Sequence, residues 1–256
     1  MAKIISVASS KGGVGKSTST VELATVFRNK GYKVLVIDLD ENSSLSKNIG
    51  AELGTNKTIY EVLCVTENVF NTIQKHELFD IITGSKSLSL ISQEITDKSE
   101  LYMLKELMSI LNDYYDFIFL DNAPSRSILL TMTYIASDYI IVPSVCDDSS
   151  TDMVMEVEQD IAELVKNNES HAKVIGYVLT SYKPRTNMSR VAYEKLQAIA
   201  SLQANPPFVM TVSDAIKVSE IKTLHTAICA TSKSSKVGRE YYSIAKEILN
   251  RIGGDK

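Results

Sequence analysis

Residues 3–19, KIISVASSKGGVGKSTS, decide the fold. The first part, KIISVAS, is a short β-branched apolar run and reads as a strand. Glycines at 12, 13 and 15 then break it. From Lys16 the pattern turns helical, with Leu23, Val26 and Phe27 on one face and Gly31 at the expected stop. A strand that feeds a glycine-rich loop, which in turn opens a helix, is the context of a phosphate-binding loop. Gly12, Gly13, Val14 and Gly15 let backbone N–H groups approach phosphate oxygens, and the helix N-terminus adds its positive end. Lys16 is then placed to reach the β- and γ-phosphates of a nucleotide, Ser17 to coordinate Mg²⁺, and Thr18 to close the cradle. The strict pattern G-x-x-x-x-G-K-[ST] wants glycine at position 10, where this chain has Ser10. Lys11 is a second lysine, for which the ordinary loop has no use.

Further strands follow in alternation with helices. KVLVID (33–38), FDIITG (79–84), DFIFLD (116–121), DYIIVPS (138–144) and KVIGYVLTS (173–181) are apolar runs of strand length. Leu101, Leu104, Leu107, Met108 and Leu111 recur at helical spacing, as do Val154, Val157, Ile161, Leu164 and Val165. A last helix carries Tyr241, Ile244, Ala245, Ile248 and Ile252 and stops at Gly253-Gly254. This alternation predicts an α/β fold, a doubly wound, mostly parallel sheet with helices on both faces. Near-continuous apolar strands fit a sheet covered on both sides. No repeat or Pro/Gly/Ser linker interrupts residues 1–256, which predicts a single domain. The stretch 42–76, rich in Asn, Ser, Thr and Lys, is expected to form loops and short helices on the ligand side.

Two strands end in carboxylates. Asp121 closes FIFLD, the position of a carboxylate that holds Mg²⁺ through water. Asp38 and Asp40 close VLVIDLD at the crevice end of their strand. Asp38 is expected in the metal's water shell, the alternative being a helix or turn cap. Asp40 is expected to position the attacking water.

Charge is uneven along the chain. Residues 1–170 hold 14 Lys/Arg against 25 Asp/Glu, a balance of −11; residues 171–256 hold 13 against 6, a balance of +7. A basic final third on an acidic body suits a polyanion as partner. No apolar run approaches the roughly 18 residues that span a bilayer. No export signal is legible, and Cys64, Cys146 and Cys229 lie far apart, as thiols of a reducing compartment do. A cytoplasmic location follows as the expectation.

KGGVGKST, with its extra lysine, resembles the deviant Walker A loop of the ParA/MinD group of P-loop ATPases. VLVIDLDENSSLS is similar to the group's second acidic motif, usually D-x-D-P-Q, and YDFIFLDNAPS to its Walker B, usually ending D-x-P-P. VLTSYKPRTNMS, IKVSEIKTLHTAI and GREYYSIAKEILNRI resemble segments of the ParA branch, so the likeness runs through the whole chain. It departs at Glu41-Asn42, where Pro-Gln is usual, and at Ala123, where the first Pro usually stands. The resemblance implies an ATP-dependent homodimer that hydrolyses ATP slowly with Mg²⁺. It gives Lys11 a role: reaching across the dimer to the phosphates held by the other subunit. It further implies non-specific DNA binding by the ATP dimer, association with the nucleoid and a ParB-like partner that stimulates hydrolysis. Lys183, Arg185, Arg190, Lys217, Lys222, Lys236 and Arg239 are the candidate DNA contacts. The chain starts at its first strand, so no N-terminal helix-turn-helix is expected.

Two rival readings share the fold. A MinD-like protein binds membranes through a C-terminal amphipathic helix. Here the last helix balances Glu240 and Glu247 against Lys246 and Arg251, which favours packing over lipid, and no membrane partner is expected. An iron–sulfur carrier needs well-placed cysteines, and Cys146 is its single hint. His76, His171 and His225 form no metal spacing.

Overall fold

Strand side chains alternate between two buried faces. Ile5, Val36, Phe117, Phe119 and Val178 join one apolar cluster. Their neighbours Ile4, Ile37, Ile118 and Leu120 join a second on the opposite face, which Tyr177 and Leu179 extend through a third. A sheet with both faces apolar must carry helices on both. The structure is a computed structural model that describes residues 1–55, 57–147 and 149–253, without the side chains of Ser150 and Ser219.

The strands are β1 (Lys3–Val7), β2 (Val34–Leu39), β3 (Asp80–Ile82), β4 (Phe117–Asn122), β5 (Tyr139–Val145), β6 (Lys173–Tyr182) and β7 (Phe208–Ser213). The helices are α1 (Lys16–Asn29), α2 (Ser44–Ile49), α3 (Ile59–Cys64), α4 (Ile91–Glu94), α5 (Met103–Leu111), α6 (Ile128–Ala136), α7 (Ser150–Lys166), α8 (Asn187–Ser201), α9 (Lys217–Thr223), α10 (Ile228–Thr231) and α11 (Lys236–Ile252). The seven strands lie in the order β3-β2-β4-β1-β5-β6-β7, and every pairing between them is parallel. Strand order reverses around β1, so the crevice opens at its C-terminal end, where the glycine-rich loop lies. Helices α1 and α11 cover one face; α5, α6, α7 and α8 cover the other. The doubly wound α/β fold read from the sequence is thus the fold observed. Among the described residues no helix is long and apolar enough to cross a membrane.

One strand escapes the sequence reading. β7, FVMTVS, follows Pro206-Pro207 and forms the sheet's edge, with Val209, Met210 and Thr211 half-buried. Its partner β6 carries the signal in Gly176. A Cβ there would stand 2.1 Å from the Phe208 ring, so the glycine is the seat of that ring. Helix α11 is strongly amphipathic and buries Tyr241, Ile244, Ala245, Ile248, Leu249 and Ile252 in the core. Gly253 ends it in the left-handed conformation; Gly254 lies outside the described residues.

Residues 42–76 form α2, α3 and a 3-10 turn at Val69–Asn71. Part of this stretch departs from the expected ligand side. Phe70, Ile73 and Lys75 stand beside Val34 and Asp80, the N-terminal ends of β2 and β3.

Candidate nucleotide site

The loop at residues 9–16 owes its shape to its glycines. Gly13 and Gly15 have φ of 74° and 90°, a region other residues avoid. Gly15 is also the N-cap of α1 and has no side-chain cap, which leaves the helix's first N–H groups open to an anion. Thr180, at the C-terminal end of β6, donates its hydroxyl to Val14 O at 2.9 Å and stands 3.1 Å from where a Gly15 Cβ would be. Ser10 takes the place of the missing glycine and hydrogen-bonds Glu156 of α7 at 3.0 Å, so the substitution ties the loop to the neighbouring helix.

The two lysines stand in different settings. Lys16 is 6% exposed, and its Nζ donates to Lys11 O at 2.8 Å. Burial pushes its pKa down, while the nearby Asp121 and Asp40 carboxylates hold it up. Lys11 is half-exposed and turns toward the β5–α7 connection, where its Nζ pairs with Asp147 and donates to Ser149 Oγ at 2.7 Å.

Asp38 and Asp121 are register partners on adjacent strands, and both are fully buried. Burial pushes both carboxyls up, Asp38 to about 6 and Asp121, which also feels Asp38, to about 8. Their contacts differ. Asp38 accepts from Ser46 N at 2.9 Å, Ser46 Oγ at 2.6 Å and Asp40 N at 3.1 Å. It fastens the start of α2, the capping alternative weighed for it above. Asp121 accepts from Thr20 Oγ1 at 2.9 Å through one oxygen; its other oxygen is buried with no hydrogen-bond partner among the described residues. A buried carboxyl oxygen without a donor, close to Ser17, suits a divalent cation, whose charge would oppose the upward push of burial. Asp40 is 5% exposed and accepts from Asn42 N at 2.9 Å. It lines a cavity of about 320 Å³ with Glu41, Asn42, Ala123 and Pro124, so both departures from the group's motifs border one space.

A recess of about 280 Å³ opens beside the loop, between Gly13, Gly15 and Thr18 on one side and Ser213, Asp214, Val218 and Tyr241 on the other. Lys222 lines this recess. All the candidate cations, Lys222 included, are exposed: Lys183 pairs with Asp214 at 3.1 Å, Lys217 donates to Ser232 Oγ, and Arg190 to Asn187 Oδ1 at 3.1 Å. Lys236 and Arg239 share a cavity with Tyr182 and Tyr193. Arg185 is exposed in the turn between β6 and α8.

Several site residues are invisible in the sequence. Thr20 is one turn beyond Lys16 and looks like an ordinary helix residue until its bond to Asp121 is seen. Gly84 follows β3, where a Cβ would come within 2.6 Å of Asp40 O and 3.0 Å of Asp38 O. Ser46 and Thr180 are likewise distant in sequence from what they hold. Only the glycine gave a signal, as one residue closing an apolar strand run.

A family model described as an AAA domain matches residues 2–174. Similar chains include the chromosome-partitioning ATPase Soj of Treponema pallidum, 28% identical with 99% of each chain covered. Among solved structures, a Borrelia burgdorferi chain described as a plasmid partition protein and bound to AMPPNP is 26% identical, with a TM-score of 0.83 over 98% of this chain and all of that one. The chain belongs to the ParA-type P-loop ATPases. This ParA-type chain also has the fold of a cobyrinic acid a,c-diamide synthase from Mycobacterium smegmatis, solved with ADP and magnesium, at 20% identity and a TM-score of 0.84. At that identity the likeness is one of fold. The family adds partition ATPases as this chain's relatives.

Proposed function

We propose that this ParA-type chain is an ATP-driven switch for DNA partition. The observation that carries the reading is the pairing of an uncapped, glycine-shaped helix N-terminus with the donorless buried oxygen of Asp121. ATP lies with its phosphates in the cradle of Gly12, Gly13, Val14, Gly15, Lys16, Ser17 and Thr18, and its nucleoside in the recess toward Asp214. Ser17 and Asp121 hold Mg²⁺, with Asp38 in its outer shell. Bound there, Mg²⁺ neutralises charge on the β- and γ-phosphates. Lys16 exchanges its bond to Lys11 O for phosphate oxygens. Asp40, beside the cavity under Ala123 and Pro124, orients the attacking water. Lys11 leaves Asp147 and reaches the phosphates of a second copy, supplying positive charge in trans as an arginine finger does.

The dimer so formed binds DNA non-specifically. Lys183, Arg185, Arg190, Lys217, Lys236 and Arg239 are exposed, and the final third has a balance of +7. Lys222, which lines the nucleotide recess, would sense ATP as well as DNA. A ParB-like protein stimulates hydrolysis and releases the complex, and the working location is the nucleoid in the cytoplasm. Residues 1–256 act as one domain.

The test is size-exclusion and DNA binding of Asp40→Ala with random-sequence duplex, under ATP, ADP or no nucleotide, over a salt series. An ATP-only dimer whose DNA affinity falls steeply with salt supports the switch. A dimer indifferent to DNA removes the partition role and leaves an ATP-gated protein-binding switch.

A further inference from the structure

A second cavity lies away from the phosphate loop, at the N-terminal ends of β2 and β3. It measures about 450 Å³, within the range of small-molecule sites. Three kinds of group line it. Phe70 and Tyr114 form an aromatic pair, ring centroids 4.8 Å apart at 62°, and both are unusually open at 42% and 54% exposure. Asp80 sits in the wall, its Oδ2 accepting from Tyr115 OH at 2.8 Å and from Lys75. Arg28 and Lys33 stand at the cavity with no ion-pair partner among the described residues. The Lys75–Asp80 pair adds no net charge, and against the Asp116 carboxylate, which accepts from Lys33 N at 2.8 Å, Arg28 and Lys33 leave the cavity net positive within the acidic first 170 residues.

This combination has a definite chemistry. Open aromatic faces take flat heterocycles, a gain that does not depend on which base is offered. A fixed carboxylate with one oxygen unengaged accepts from a ring N–H or an amino group. Unpaired Arg and Lys take phosphate. A peptide with acidic side chains would satisfy the cations alone and leave the aromatic pair and Asp80 unanswered. We propose that this cavity binds a nucleoside phosphate, with the base against Phe70 and Tyr114, its N–H edge at Asp80, and the phosphate at Arg28 and Lys33. Arg28 lies in the last turn of α1, the helix whose first turn carries Lys16 and Ser17. One rigid element therefore joins this cavity to the phosphate loop.

Equilibrium dialysis of the full chain carrying Lys16→Ala tests the proposal with the phosphate loop impaired. The probes are AMP, GMP, CMP and UMP, each against its free nucleoside, inorganic phosphate and a short Tyr-Asp-Glu peptide. At least one monophosphate should bind saturably, one per chain, about tenfold tighter than its nucleoside or phosphate. Phe70→Leu/Tyr114→Leu should weaken it about tenfold, the effect of a lost stacking contact. Arg28→Gln/Lys33→Gln should remove the preference for the monophosphate over the nucleoside. The same pairs of substitutions in an otherwise native chain should leave ATP hydrolysis without added monophosphate unchanged, which shows they fold. Absence of saturable binding up to about 5 mM overturns the proposal. Binding that ignores both pairs of substitutions overturns it too, as does peptide binding tighter than that of any monophosphate with the same dependence on them.

Discussion

Gly84 shows how one missing side chain positions Asp40, the group proposed to orient the attacking water. It is packed against the Asp38–Asp40 backbone at distances no Cβ tolerates. Gly84→Ala must push that backbone outward and carry Asp40 with it. Overpacking of this kind costs roughly 1–3 kcal/mol. The expected result is a lower melting temperature together with a drop in kcat for ATP hydrolysis of about tenfold, while ATP affinity, set at the other loop, changes little. Lys16→Ala gives the opposite pattern, with ATP binding lost in a dialysis assay and the fold retained, because the side chain's hydrogen bond in the free protein is to a single backbone carbonyl, Lys11 O. The residues to which chemistry is assigned stand out in the sequence because glycine spacing and strand-terminal carboxylates are local patterns. Thr20, Ser46 and Thr180, which hold them, do not, because each meets its partner through the folding of the sheet.

Helix α1 shows how an element carries information between distant regions. Its residue Glu22 is almost fully buried and accepts from the backbone N–H groups of Ile228 at 2.7 Å and Cys229 at 2.8 Å. Ser19, one turn earlier, meets Tyr241 OH of α11 at 3.1 Å. The phosphate-loop helix is thereby bonded to both neighbours that flank the basic segments. Glu22→Ala strands two buried donors, a loss of about 1–3 kcal/mol. Burial holds the Glu22 carboxyl above its usual range. A folded acid that grips its proton more tightly than the unfolded chain contributes its full stability below pH about 4.5, and that contribution fades as pH rises through the raised value. Thermal melts of native protein and Glu22→Gln from pH 4 to 8 should therefore show the native protein losing ground relative to the variant as pH rises. Elements were read well where a period was sustained, as in α1, α7 and α11. β7 was lost because an edge strand buries only some of its residues and so alternates weakly.

In the molecule as a whole, the acidic first 170 residues and the basic final third contribute strands to one sheet, and the recess proposed for the nucleoside is lined by both. Gly13 and Thr18 come from the first part; Asp214 and Lys222 come from the second. ATP binding and DNA binding are then expected to be coupled, and random duplex DNA should raise ATP affinity several-fold in Asp40→Ala, measured by titration with a fluorescent ATP analogue. Reciprocity requires ATP to raise DNA affinity by the same factor. The sequence exposed the charge asymmetry, but it could not show that Lys222 turns toward the nucleotide recess.

The contact between Lys11 and Asp147 has a thermodynamic corollary. With Lys11 paired within its own chain, the proposed self-association is a swap: in each subunit one ion pair opens as another closes. Both partners are 38% exposed, and pairs at that depth contribute about 1 kcal/mol or less. Two such pairs open per dimer, so removing the competitor with Asp147→Asn should lower the protein concentration at half-assembly by up to about thirtyfold, the equivalent of about 2 kcal/mol. A swap also leaves the number of captured small ions nearly constant. Assembly of the native chain with ATP should therefore vary little with ionic strength, and Asp147→Asn should make it visibly salt-sensitive.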